Sequence, residues 1–96
     1  MGNSNEQSIK DALKELVETY RLKSKLHQNR IHELWEKQMG STISRYTSDI
    51  KLRGQKLYIT IDSAPLRQEL SYGREKILHT LNEGLGENYI KELIIK

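Results

Sequence analysis

The sequence predicts an α+β domain of order α-α-β-β-α-β, with a three-stranded sheet and its helices packed on one face. Three observations carry this. Apolar residues at helical spacing open the chain, strict alternation with a glycine turn marks Asp49 to Asp62, and Ser63-Ala64-Pro65 announces another helix. Residues 1–7 read as a disordered N-terminus and residues 8–96 as one domain, since 96 residues support a single core.

Ser8 is positioned to cap the first helix, whose apolar residues Ile9, Ala12, Leu13, Leu16, Val17 and Tyr20 share one face. Lys10, Lys14, Glu15 and Glu18 fall on or near the opposite side. Arg21 to Lys25 reads as a polar connector, with Ser24 a cap for a second helix through Leu26, Ile31, Leu34, Trp35 and Met39. Gly40 supplies its stop. Residues 41–48 fit either a further helical turn or the approach to a strand.

From Asp49 the period becomes two. Ile50 and Leu52 alternate with polar residues, as do Leu57, Ile59 and Ile61. The Gly-containing link Arg53-Gly54-Gln55-Lys56 makes the pair a hairpin, apolar on one face and polar with Tyr58 on the other. Ser63 caps the third helix, with Pro65 in its first turn, where the missing N–H does no harm. Leu66, Leu70, Ile77 and Leu81 form its stripe, and Gly73 inside it suggests a close helix-to-sheet approach. Gly84 and Gly86 end that helix, and Tyr89 to Ile95 reads as a third strand. If this strand is parallel to the second, a right-handed crossover joins them. The third helix then covers one sheet face, helped by the first.

Composition narrows the function. There is no cysteine, which excludes disulfides and thiolate zinc sites. No leader-like start or apolar run of membrane-spanning length is present, so a cytoplasmic protein with no membrane partner is expected. Gly2 reads as incidental and not as a lipidation site. No catalytic constellation emerges. His27 and His32 are separated by about 140° on a helix and do not share a metal. His79 and Glu83 have the spacing of a surface pair, and the serines lack a nucleophile-elbow context. No phosphate loop is present, because Gly84-Leu85-Gly86 closes a helix instead of opening one. The chain reads as a non-enzyme without cofactor or metal. Trp35, beside Leu34, reads as core.

The formal charge of +3 permits nucleic-acid contact without requiring it. Arg21, Lys23, Lys25 and Arg30 form one basic cluster, and Lys51, Arg53 and Lys56 with Tyr58 form a second. Together these eight are the candidate nucleic-acid-binding residues, cations for phosphates and Tyr58 for an unpaired base. The alternative is a solvated connector and a charged hairpin tip that guards the sheet edge.

The ordered set Trp35, Gly40, Leu52, Gly54-x-x-Leu57-x-Ile59-x-Ile61, Ser63, Glu69-Leu70, Ile77, Leu81-Asn82, Leu85-Gly86 and Ile90 resembles the bacterial DciA family. The resemblance runs from Ile9 onward. It implies a KH-like domain and a partner, the DnaB-type replicative helicase. It also implies an adaptor without ATPase activity that helps recruit or load this helicase onto single-stranded DNA at replication initiation. The chain departs from the family pattern at Tyr46-Thr47-Ser48-Asp49, where a His-Ser/Thr-x-Pro segment is usual, and at Pro65-Leu66, where a Trp is usual. Many members also extend past the shared domain, and helicase loading is expected to depend on whether that extension contributes. The Gly-x-x-Gly loop of true KH domains is absent, so "KH-like" describes the fold and not a binding mode. A general RNA- or single-stranded-DNA-binding module without a helicase partner is the second reading, and a purely protein-binding domain the third.

Overall fold

In the computed structural model of the 96-residue chain, the structure describes residues 2–96, with side chains from residue 6. The predicted disordered segment falls mostly outside the described side chains, and Met1 lies outside the described residues altogether. The elements are α1 (Gly2–Arg45), β1 (Thr47–Arg53), β2 (Lys56–Ile61), α2 (Ala64–Tyr72), α3 (Arg74–Leu85) and β3 (Glu92–Ile95). They form an α+β, KH-like fold with a three-stranded sheet of order β1-β2-β3. β1 and β2 are antiparallel, and β2 and β3 are parallel.

Three boundaries differ from expectation, the simplest being that the third strand begins at Glu92 and not at Tyr89, whose side chain is instead buried against α1. The polar run Arg21–Lys25 does not interrupt the first helix. Arg, Leu and Lys are strong helix formers, and Ser24 alone is a weak breaker. The break comes only at Gly40, the expected stop, whose φ of 85° and ψ of 173° leave the helical region before a last turn to Arg45. The predicted third helix is two helices, divided at Gly73 (φ −100°, ψ 18°). Gly73 is therefore a junction and not a point of close approach. That approach occurs at Gly84, inside α3, where an added Cβ would lie 2.6 Å from a Leu34 methyl.

The other local signals have visible causes. Ser63 Oγ accepts from Leu66 N at 3.4 Å and caps α2. Gly86 is left-handed (φ 81°) and closes α3, donating to the carbonyls of Asn82 and Glu83. Gly54, at φ 60°, makes the hairpin turn. Trp35 Nε1 donates to Thr47 Oγ1 at 2.9 Å, and that hydroxyl donates to Ile43 O at 2.8 Å. One threonine thus ties both sides of the α1–β1 junction together.

The core lies between the helices and one sheet face. It contains Ile31, Leu34 and Trp35 from α1, Leu57, Ile59 and Ile61 from β2, Leu81 from α3, and Ile90 and Leu93. The N-terminal half of α1 does not help to cover the sheet. Every residue from 6 to 23 is exposed, including Ile9, Leu13 and Leu16. It projects as an arm, and the molecule measures 63 × 21 × 20 Å.

Candidate nucleic-acid interface

Strand alternation determines what the uncovered sheet face carries. Leu57, Ile59 and Ile61 point into the core, so Lys56, Tyr58 and Thr60 point away. Register places Lys51 opposite Tyr58, and Tyr58 opposite Ile94. The neighbouring row is Arg53, Lys56 and Glu92. Paired residues share a face, so an aromatic ring at mid-sheet is bordered by cations. Lys96 Nζ lies 5.6 Å from the Tyr58 ring centroid, within cation–π range. Lys56 Nζ is 3.6 Å from Glu92, an exposed pair that holds the lysine weakly. Lys51 and Arg53 have no ion pair among the described residues.

The helix cluster divides. Gln28 Nε2 donates to Ile50 O at 2.7 Å, and Leu52 N donates to Gln28 Oε1 at 2.6 Å. With Trp35 at Thr47 and Gln28 at Ile50–Leu52, α1 runs antiparallel to β1. Arg21 and Lys25 precede Gln28 by about two turns and one turn on the same flank, so they continue towards the hairpin. Lys23 faces the other flank, where Nζ meets Glu87 at 2.9 Å. Arg30 is paired with Glu33 at 3.1 Å. The structure therefore brings Lys51, Arg53, Lys56 and Tyr58 onto one face, while helical spacing puts Arg21 and Lys25 on the flank of α1 that carries Gln28. It does not bring Lys23 and Arg30 there.

Sequence reasoning missed Lys96 and Ile94. A signal was available, since aligning β3 in parallel with β2 puts Ile94 beside Tyr58. Gln28 gave no signal at all.

On the far flank, Glu87 joins Lys23 and lies 3.4 Å from His27 Nε2. The Lys23 ammonium holds the Glu87 carboxyl below the usual carboxylate range, desolvation works against this, and His27 adds to the lowering. Tyr89 lies beneath, its ring 4.6 Å from His27 and 6.5 Å from Tyr20. Burial, then Tyr20, pushes the Tyr89 hydroxyl up. This network fastens the segment after α3 to α1. Asn82, buried, completes the fastening, exchanging hydrogen bonds of 2.9 Å with both the N–H and the carbonyl of Ile90.

Two clefts, of about 240 and 290 Å³, lie at the α1–β1 junction and beside α3. Both fall below the roughly 300–1,000 Å³ of small-molecule sites. No group of three or more His, Cys, Asp or Glu is placed to share a metal among the described residues. His79 and Glu83 form an exposed pair at 2.8 Å, as their spacing predicts. No helix is long and apolar enough to cross a membrane among the described residues.

The family model "Dna[CI] antecedent, DciA" matches residues 8–95. The chain belongs to the DciA family. Membership carries, at the level of the family, a replication-initiation role associated with the DnaB helicase. No curated protein matches the chain. The DciA match includes the exposed arm as well as the sheet and its helices, so both belong to the shared domain.

Proposed function

We propose that this DciA-family chain is a cytoplasmic, non-enzymatic adaptor that meets single-stranded DNA on its uncovered sheet face. In the same reading it associates with a DnaB-type replicative helicase, assisting recruitment or loading at replication initiation. One observation supports the nucleic-acid half best: the row Lys51–Tyr58–Ile94, flanked by Arg53, Lys56 and Lys96. A half-exposed ring on a flat platform suits stacking with an unpaired base, which any sequence offers. A duplex hides those base faces and would gain only phosphate contacts. Arg21 and Lys25 extend the phosphate track along α1. The helicase half rests on family membership.

The second reading, a general RNA- or single-stranded-DNA-binding module, is favoured by the same ring, which needs no helicase in order to act. Pull-down with a DnaB-type helicase at low and moderate salt, beside fluorescence anisotropy on single-stranded DNA, duplex DNA and RNA, separates the two. The adaptor reading expects helicase retention at moderate salt and preference for single strands over duplex. Binding of nucleic acid without helicase retention supports the general module. Retention of neither partner removes both.

A further inference from the structure

The arm of α1 carries an apolar seam that, from Ile9 to Val17, nothing among the described residues covers. Ile9, Leu13, Leu16 and Tyr20 follow one another at spacings of four, three and four, the period of a coiled-coil seam. Val17 widens it. Ile9 is 62%, Leu13 57% and Leu16 65% exposed. Beyond Tyr20 the same side of the helix passes to Tyr89 and then into the core through Ile31, Leu34 and Trp35. The seam is therefore the outward continuation of the core stripe. Helices in water owe most of their stability to packing of such a face, and apart from Tyr20 at Tyr89 this stretch packs on nothing else among the described residues.

We infer that this seam is a self-association surface, and that its occupant is the arm of a second copy, running antiparallel. Two properties of the arm select that occupant. The first is area. Five seam side chains from each of two copies, with the aliphatic stems of Lys10 and Lys14, bury on the order of 1,000 Å² in total, the lower bound of a specific interface. A two-fold pairing is closed, so it ends at a dimer. The second is charge. Residues 6–19 hold four carboxylates against two lysines, whereas residues 20–31 hold four cations and no carboxylate. Antiparallel arms bring the acidic tip, with Glu6, against the partner's Arg21, which has no ion pair among the described residues. Parallel arms would set basic segment against basic segment.

Sedimentation of the full chain from low to several hundred micromolar is the test. The mass should rise from 11.2 kDa towards twice that value. Leu13→Glu with Leu16→Glu should weaken the association at least tenfold while leaving Trp35 fluorescence unchanged, because both side chains are solvent-facing. If that pair disturbs the fold, Leu16→Gln alone should still weaken the association severalfold. X-ray scattering of the dimer should give a longest dimension well above the 63 Å of one copy. A dimer no longer than one copy overturns the antiparallel arrangement. A wild-type chain that stays monomeric throughout, including one that uses the seam only to hold a helicase, overturns the inference. So does a dimer insensitive to all three substitutions.

Discussion

Individual residues set the tolerances of this fold. Gly84 is required by contact and not by backbone conformation, because a methyl group there would press on both methyls of the buried Leu34. Gly84→Ala should cost about 1–3 kcal/mol by overpacking, read as a lower midpoint in urea unfolding. Glu87 makes a different prediction. Its folded carboxyl sits below its ordinary value of 4.5, so its link to Lys23 contributes stability fully above that value. The contribution is lost as pH falls through the lowered folded value. A proton NMR titration of the Tyr89 and His27 rings should therefore show the fastening loosen at acid pH. Glu87→Gln should remove that step while leaving the thermal midpoint at neutral pH only slightly lower.

At the scale of elements, Gln28 occupies a position no pattern announces. Its side-chain amide satisfies one donor and one acceptor at the outer edge of β1, as a neighbouring strand would. Gln28→Ala should destabilise the chain by about 1–3 kcal/mol through unpaired backbone groups, measurable by denaturant unfolding. It should also speed amide exchange at Leu52. The strands were the most legible elements, because alternation and a glycine turn are local signals. The Ser63 cap and the Gly86 stop were legible for the same reason. The helices were less so. A polar run at Arg21–Lys25 resembles a connector when only composition is read, yet its residues favour helix. Whether Gly73 or Gly84 breaks the stretch from Ala64 to Leu85, and which of them touches a neighbour, depends on tertiary contacts that spacing does not contain.

At the scale of the molecule, the two basic clusters read as independent in the sequence. Strand register gathers all of the hairpin cluster onto one face, whereas of the helix cluster Arg21 and Lys25 share only the flank of α1 that carries Gln28. Lys23 and Arg30 have been taken by Glu87 and Glu33 instead. Lys96 is added from the end of β3. The arm was legible as an amphipathic helix, but that its apolar side stays outside the core was not. Anisotropy of a labelled single-stranded oligonucleotide tests the proposed contact of nucleic acid with the uncovered sheet face. Tyr58→Ala should cost about 1–3 kcal/mol of binding, the worth of one stacked base. Lys51→Glu with Arg53→Glu should weaken binding at least tenfold and flatten its salt dependence. Lys23→Glu with Arg30→Glu, the same change in charge away from that face, should weaken it far less. Equal losses from the two double variants, with Tyr58→Ala silent, would contradict the account.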